Sequence, residues 1–363
     1  MEIQKIYTND NGIVSAFAES RIGGRPENQD SYGWQENPRG YLVTVCDGMG
    51  GGPGGKTAST IAVKEILRSV AEASDDEEIP NILKKAIRNA NLSILQAGSN
   101  HPNLKGMGST ATVLWVTPYA AYAAHVGDSR IYQLRGHRKV FRTFDHSMVF
   151  DMVGQGVITE EQARLSAQSN VITRALGIKP DVEVDVVELP YCRGDRFVLC
   201  TDGIHGTMPE QDLLRLLTNQ RPTLGALTDD VATSIDNQGR SKGGGHDNLT
   251  IAMVETKANS KLKQPMSKKA KLLMVTLIII AAASIAGNIV QLRKTGDAAC
   301  YADSVKVLKD TIVSHQRQLS TYQAQADSMA KLMNENTDLK DRNEKITKLI
   351  KEMQTLTDTA SHK

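Results

Sequence analysis

Five aspartates give this sequence its strongest chemical signal. Each lies in or beside a turn-prone stretch, usually at the end of an apolar run; they are Asp30, Asp47, Asp128, Asp202 and Asp247. A single Asp-Gly is most often only a turn, but acids at the ends of adjacent strands converge on one edge of a sheet. Ionised carboxylates held together in a partly dry cleft repel one another, so the cluster needs protons or cations to neutralise it. Metal ions are the simpler solution.

The residue types indicate which ions and which reaction. Oxygen ligands suit hard divalent ions such as Mg²⁺ and Mn²⁺, and the glycines after Asp47 and Asp202 allow a backbone carbonyl to approach closely. Two such ions, about 3.5–4 Å apart, can share a water, lower its pKa and aim it at a phosphoryl group. Arg25, five residues before Asp30, is the candidate for gripping the phosphate oxygens by a forked pair of hydrogen bonds. The predicted chemistry is metal-dependent hydrolysis of a phosphate ester.

A competing motif overlaps this pattern. Residues 50–57, GGGPGGKT, match the P-loop pattern G-x-x-x-x-G-K-[ST], and the run FVLCTD offers Asp202 as the acid that would hold magnesium. In that interpretation Asp47 would place a negative charge close to the nucleotide phosphates, which is unfavourable without a metal. The order of the secondary-structure elements decides between the two.

Short β-type runs recur through the first 257 residues: GIVSAFAES, YLVTVCD, TATVLWV, AAYAAHVGD, RIYQLRG, KVFRTF, VEVDVVEL, RFVLCTD and LTIAMVE. Three to four of them follow one another from Thr110 to Phe144 with only turn signals between, so they must be antiparallel. Helical periodicity appears in TASTIAVKEILRSVAEA, NILKKAIRNANLSILQAG, EQDLLRLLTNQ and TLGALTDDVATSID. This pattern predicts a layered α+β domain rather than the βαβ alternation of a P-loop protein. Lys56 and Thr57 then merely begin the first helix.

The composition changes sharply near residue 260. The net charge of +2 carries no nucleic-acid signature, but residues 272–292 form an uncharged apolar run long enough, at about 1.5 Å per residue, to cross a bilayer. It is fenced by lysines before it and by Arg293 and Lys294 after it, and it lies too far from the N-terminus for a signal peptide. We predict a phosphatase-type domain over 1–257, a basic linker over 258–271, a transmembrane helix over 272–292 and a helical tail over 293–363.

Charge predicts the orientation of that helix. Five lysines lie within the dozen residues before it, at positions 261, 263, 268, 269 and 271, so the positive-inside bias keeps the N-terminal domain in the cytoplasm and places the tail outside the cell (inner) membrane. The tail has two groups of heptad-spaced residues whose phase slips near Asn336, which favours a coiled coil over a single amphipathic helix or a disordered tail. A parallel pairing would bring two copies of Cys300 together and make a homodimer. Cys46 and Cys200 lie in apolar runs and are interpreted as packing residues of a cytosolic domain.

Eight short motifs in the first 255 or so residues occur in a recognisable order: RPENQDSY, VCDGMGG, GSTAT, VGDSRIY, DHSMV, VITRALG, LCTDGI and HDNLT. In this order they resemble the metal-dependent serine/threonine protein phosphatases of the PPM, or type 2C, family. The resemblance implies an α-β-β-α sandwich of two antiparallel sheets flanked by helix pairs.

The resemblance also implies a site. Two Mn²⁺ or Mg²⁺ ions would be ligated by Asp30, Asp47, Asp202 and Asp247 with the Gly48 carbonyl, a third ion would use Asp128 as in bacterial members, and Arg25 would bind phosphate. Four residues depart from the family pattern. Gln29 replaces a common Glu, Met49 replaces the histidine proposed as leaving-group acid in some members, and Gln168-Ser169 replaces a common His-Pro pair.

The sequence therefore predicts a membrane-anchored protein serine/threonine phosphatase that acts on phosphorylated proteins and opposes a Ser/Thr kinase. The rival interpretation is a receptor or scaffold whose phosphatase-like domain only binds phosphoproteins. The complete set of acids argues against it, because a binding module has no need of every charge of a metal cluster.

Overall fold

The computed structural model describes residues 3–7, 12–50, 53–219 and 221–262. Over these residues the chain forms thirteen strands: β1 Ile3–Tyr7, β2 Val14–Arg21, β3 Ser31–Asn37, β4 Gly40–Cys46, β5 Gly48–Met49, β6 Gly108–Ser109, β7 Ala111–Val116, β8 Ala121–Val126, β9 Arg130–Arg135, β10 Arg138–Arg142, β11 Asp185–Leu189, β12 Arg196–Cys200 and β13 Leu249–Thr256. Seven α-helices accompany them: α1 Pro53–Ala71, α2 Ile79–Asn100, α3 Met148–Gly154, α4 Glu160–Arg164, α5 Asp202–His205, α6 Glu210–Leu217 and α7 Leu224–Ser241.

The strands form two main sheets. One has six strands in the order β1-β2-β13-β12-β9-β10, and the other has five in the order β11-β8-β7-β4-β3. A small two-stranded sheet joins β5 to β6. Every pairing among the described strands is antiparallel, which agrees with the turn-linked order predicted from the sequence.

Strand β4 shows why the central strands are apolar on both faces. Its residues are all buried, and alternate side chains enter different cores, because successive residues of a strand point to opposite faces. Leu42 packs in the core beneath α1 and α2, whereas Tyr41 and Val43 pack in the core between the two sheets. A strand covered on both faces reads as a continuous apolar run.

The helices complete four layers. The pair α1 and α2 covers the five-stranded sheet through a core that includes Ile66, Ile87 and Trp115. Helices α6 and α7 cover the six-stranded sheet through Leu213, Ile235 and their neighbours. The predicted layered α+β sandwich with flanking helices is confirmed.

The strands and helices predicted from the sequence are present in the structure. Elements that are short or polar were missed. Each of the nine β-type runs contains a strand, and each of the four periodic segments contains a helix. Strand β3 was not predicted, because SYGWQEN contains glycine and polar residues and forms the edge of its sheet, with side chains only partly buried. Helices α3 and α4 are too short to show a 3.6-residue period. Their N-cap residues Ser147 and Thr159 are of the types that favour a helix start.

The described chain continues to pack through Leu262. The Leu262 amide donates to the carbonyl of Tyr119 (2.8 Å), and the Lys261 amide donates to that of Pro118 (3.1 Å). Both acceptors lie in the turn between β7 and β8.

Among the residues described above, no helix combines the length and the apolar composition needed to cross a membrane. The predicted transmembrane helix at 272–292 and the tail at 293–363 fall outside that range, so both stay predictions.

We expect Phe197→Ala to destabilise the domain strongly. The ring is fully buried between the sheets, and removing such a side chain costs about 3–5 kcal/mol of unfolding free energy. Urea unfolding measures the loss. Val140→Ala on β10, where the side chain is 48% exposed, is the control and should change stability by less than about 0.5 kcal/mol; equal effects would contradict this account of the core.

Candidate active site

The acids meet at one end of the sandwich. Asp47 follows β4 and Asp128 follows β8 in one sheet, whereas Asp202 follows β12 and Asp247 precedes β13 in the other. These four aspartates share a cavity of about 370 Å³. It is lined by Arg25, Pro26, Glu27, Gln29, Asp47, Gly48, Met49, Thr110, Asp128, Asn170, Ile172, Asp202, Asp247 and Asn248.

The fifth aspartate lies behind the others. Asp30, just before β3, is 2% exposed and is not among the residues that line the cavity. Its Oδ2 accepts a hydrogen bond from the Thr201 hydroxyl (3.0 Å). Its Oδ1 is buried without a hydrogen-bond partner among the described residues. The sequence pattern did not distinguish this deep position from the four at the surface of the cavity.

Hydrogen bonds to its backbone fix Asp47 at the C-terminal end of β4. Its amide donates to the Thr110 hydroxyl (2.9 Å), and its carbonyl accepts from the Thr110 amide (2.8 Å) and the Ser109 hydroxyl (2.9 Å). The side chain is thereby held while both of its carboxylate oxygens stay free of these bonds. The GSTAT motif thus anchors the loop of the DGMGG motif.

Burial and mutual repulsion raise the pKa of each of four carboxyl groups. Burial raises the pKa of Asp30 to about 7, with repulsion from Asp202 adding to the rise and hydrogen bonds from Thr250 and Thr201 opposing it. Burial, followed by repulsion from Asp247, raises the pKa of Asp202 to about 6. For Asp47 and Asp128 the same two causes hold the pKa well above its usual range. The protein alone therefore does not neutralise this cluster.

Arg25 and Lys56 each approach the acids from one side. Arg25 donates from Nη2 to Oδ2 of Asp247 (2.7 Å), at the solvent side of the cavity where both side chains are partly exposed. Lys56 donates from Nζ to the backbone carbonyl of Asp30 (2.6 Å) and so supports the backbone beside this acid. In this structure the predicted phosphate-binding arginine therefore rests on an acid.

These residues fit divalent cations. Asp30 Oδ1 and Asp202 Oδ1 are both buried without a partner among the described residues, and a buried unpaired carboxylate oxygen is costly. The predicted ligands, the carboxylates and the Gly48 carbonyl, are all oxygen ligands, which suits Mg²⁺ and Mn²⁺ better than softer metals. Cations bound at this cluster would remove both the repulsion and the unpaired acceptors.

Glycine at position 48 is required by close packing. A Cβ on Gly48 would lie 2.0 Å from the carbonyl oxygen of Gly55 in the first turn of α1. Lys56 lies in the first turn of α1, which is the next element after β5 in the described chain. In these antiparallel surroundings the P-loop match is a coincidence of composition.

The structure adds residues that sequence reasoning did not single out. Thr201 contacts Asp30, and the Asn248 side chain accepts from the Gln29 amide (2.9 Å) and donates to the carbonyl of Glu27 (2.9 Å). His205 donates from Nε2 to the carbonyl of Asp128 (3.0 Å). Each lies within four residues of a predicted acid, so the available signal was proximity to the motif rather than residue type.

A second polar cluster lies next to the site, where His125 and His146 stack with ring centres 4.4 Å apart near Asp185. The Gly127 amide donates to Nδ1 of His146 (3.1 Å), so the proton of the neutral ring must sit on Nε2, which faces Oδ2 of Asp185 (3.3 Å). Burial and the neighbouring His125 lower the pKa of His146 to about 4. Because nearly parallel rings cannot both aim lone pairs at one ion, this cluster is a hydrogen-bonded support for the loop before Asp128 rather than a metal site.

Comparison with known proteins places this geometry in a family. The model of the protein phosphatase 2C family matches residues 19–242. The chain is 34% identical over 241 residues to the serine/threonine phosphatase stp of Listeria monocytogenes, covering 65% of this chain and 93% of that protein.

Solved structures agree. The serine/threonine phosphatase Stp1 of Staphylococcus aureus aligns with a TM-score of 0.61 at 29% identity, covering 67% of this chain and 94% of that one. The catalytic domain of the serine/threonine protein phosphatase PstP in complex with two manganese ions aligns with a TM-score of 0.55 at 28% identity, covering 68% and 99%.

The chain belongs to the protein phosphatase 2C family. The resemblance stated from the motifs is thereby confirmed for the domain, and so is the predicted enzyme class, a metal-dependent protein serine/threonine phosphatase. The individual roles predicted for Asp30, Asp47, Gly48, Asp128, Asp202, Asp247 and Arg25 stay predictions.

We expect the metal-free protein to lose stability as the pH rises from about 4 to 8. The folded acids bind protons up to pH 6–7, whereas unfolded ones release them near pH 4, so the stabilising contribution is complete below that value and is lost through the folded pKa. In chelator, Asp30→Asn should therefore raise the melting temperature at pH 8 by a few degrees and change it little at pH 4.5. Asp75→Asn, at an exposed position, is the control; the same pH dependence in both variants would refute the repulsion at Asp30.

Proposed function

We propose that this chain hydrolyses phosphoserine and phosphothreonine in proteins, using two Mn²⁺ or Mg²⁺ ions at its carboxylate cluster and a third at Asp128. The observation that supports the proposal most directly is the convergence of four aspartates, two from each sheet, on one cavity with buried unpaired oxygens. Ions bound there would supply a nucleophile at neutral pH and polarise the phosphoryl group.

Different residues of the chain would bind the ions and the phosphate. Asp30, Asp47, Asp202 and Asp247, with the Gly48 carbonyl, would hold the inner ions, and Asp30 would do so from beneath the cavity. The Arg25 side chain is half-exposed and, within the described part of the chain, donates to Asp247 at the solvent side of the cavity, so it can turn toward a phosphate that arrives at the cavity mouth. A guanidinium grips two phosphate oxygens at once, which orients the phosphorus for attack.

In this proposal the leaving alkoxide takes its proton from solvent. Met49 lines the cavity where some relatives of the type 2C pattern carry a histidine, and no histidine is among the residues that line it. Apart from the proposed metal ligands, Glu27 is the one acidic residue in this cavity lining. An open cavity of this kind admits water.

A binding module without activity is the rival function. It predicts phosphoprotein binding with no turnover, whereas a nucleotide hydrolase would cleave ATP. Phosphate release from para-nitrophenyl phosphate, a phosphoserine peptide and ATP, each with and without Mn²⁺, separates the three. We expect Mn²⁺-dependent release from the first two only.

Removing either of two predicted ligands should abolish that activity. Asp47→Asn and Asp247→Asn each delete a ligand charge and should lower Mn²⁺-dependent kcat/KM by more than about 100-fold, while the metal-free fold is retained because repulsion is relieved. Calorimetric titration with Mn²⁺ is the second measurement. Asp181→Asn, at an exposed position, is the matched control. Full metal affinity and full rate in Asp47→Asn would end the assignment.

Arg25→Ala should raise KM for phosphorylated substrates with a smaller effect on kcat, because it removes a contact made to the bound phosphate. The size should be on the order of tenfold, the value of a charge-assisted hydrogen bond. Arg138→Ala, an exposed arginine on β10, should leave KM unchanged. A structural role for Arg25 would instead lower the melting temperature at constant KM.

The membrane anchor forms part of the same proposal. With the helix at 272–292 spanning the cell membrane, the catalytic domain meets cytoplasmic phosphoproteins and opposes a Ser/Thr kinase, while the tail at 293–363 lies outside and pairs as a coiled coil. Support comes from the charge asymmetry of the sequence. Phosphoproteomics of a strain lacking the protein tests the pathway, because a rise in phosphotyrosine alone would count against it.

The cysteines provide a test of orientation. Cys46 and Cys200 are buried, and burial raises the pKa of each thiol to about 12, so both react slowly on either side of the membrane. Cys192 is partly exposed and is therefore the reporter for the catalytic domain. A thiol reagent that cannot cross membranes should label Cys300 but not Cys192 in reduced intact cells, and both after lysis. Labelling of Cys192 alone in intact cells would reverse the orientation.

A further inference from the structure

We propose that a second cavity beside the carboxylate cluster is a specificity site that accepts an aliphatic side chain of the substrate, within about two residues of its phosphorylated residue. This inference rests on the proposed function. The cavity holds about 130 Å³ and lies between the segment that carries α3 and α4 and the start of α5 and α6. Asp128, Asn170 and Asp202 line both this cavity and the catalytic one, so the two share a wall.

The floor of this specificity cavity is apolar. It is made by Val149, Phe150, Ala163 and Met208, each less than 10% exposed. Phe150 makes an edge-on contact with Phe144, with 5.5 Å between the ring centres. The guanidinium of Arg130 lies 4.9 Å from the centre of the Phe150 ring. A pocket whose walls are already fixed binds a side chain without the cost of ordering them.

The charges around the cavity are already paired. Arg130 makes two bonds of 2.7 Å to the carboxylate oxygens of Asp145, and both side chains are buried. Arg142 bonds to Glu160 (2.7 Å) and to Glu210 (2.8 Å).

At the rim, Arg164 bonds to Glu161 at 2.6 Å. Asp128 and Asp202 belong to the catalytic cluster. No charge of the cavity lining is therefore left over to receive a lysine or an acidic side chain, and burying either beside an apolar floor costs free energy.

The volume and the position select the occupant. Cavities of about 150 Å³ lined by apolar side chains accept a molecule the size of benzene, so 130 Å³ suits one branched aliphatic side chain. An extended peptide advances about 3.3 Å per residue. With the phosphoresidue in the catalytic cavity, only a near neighbour in the peptide reaches across the shared wall.

The experiment compares phosphoserine peptides that differ at one position. Each peptide carries Leu, Phe, Ala, Lys or Asp at one of the two places on either side of phosphoserine, and the full chain with Mn²⁺ is assayed by phosphate release. At one of these positions we expect kcat/KM for Leu to exceed that for Lys and Asp by on the order of tenfold, the effect of partly burying an aliphatic side chain.

Two variants change the cavity in opposite directions. Ala163→Leu fills it and should reduce the preference for Leu to less than about twofold, because the peptide side chain loses its space. Met208→Ala enlarges it and should shift the preference from Leu toward Phe. Leu165→Ala, next to α4 but 68% exposed and outside the cavity lining, is the matched control and should keep the wild-type order.

The outcomes separate this inference from the proposed function. If para-nitrophenyl phosphate is hydrolysed and no phosphopeptide is, the protein phosphatase function fails and the specificity site fails with it. If all peptides are cleaved at equal rates, only the specificity site is overturned. Should Ala163→Leu slow every peptide equally, the rank order in Met208→Ala decides, and an unchanged order there also overturns the proposal.

Discussion

Repulsion among carboxylates at the common end of two sheets is the constraint on which the rest of this structure depends. Four acids that each prefer water are brought into one cavity, and a fifth is buried beneath them. The free energy for this arrangement comes from elsewhere, from three apolar cores that lie between and outside the sheets. The layered fold is thus a rigid frame that keeps mutually repelling groups together until cations arrive.

The frame holds these acids through contacts to their backbone atoms. Thr110 holds the backbone of Asp47, Lys56 the carbonyl of Asp30, and His205 the carbonyl of Asp128. In these contacts none of the three side chains bonds to a carboxylate of the cluster. Stronger pairing, such as the bidentate bonds between Arg130 and Asp145, occurs in the neighbouring cavity instead. Position is therefore fixed while charge stays available, as a site that must bind cations requires.

The predictable part of this protein is the part that obeys local patterns. Strands such as β4 and β8 could be predicted because both of their faces are buried, and Asp47 and Asp128 because they follow those strands. The edge strand β3 and the short helix α4 have no comparable periodicity. The depth of Asp30 and the specificity cavity could not be predicted, because both depend on side chains from segments far apart in sequence, such as Phe150 and Met208. Prediction from the sequence therefore fails where contacts join residues that are far apart in the chain.

The chain's path after β13 has a practical meaning. Leu262 bonds to the turn between β7 and β8, at Tyr119, while the opposite end of β7 meets Asp47 through Thr110. The six residues of β7 separate these two points by about 20 Å. A tether attached after Leu262, whether to a resin, a sensor chip or a reporter protein, would therefore start from the side remote from the cavity and leave the mouth turned toward approaching phosphoproteins.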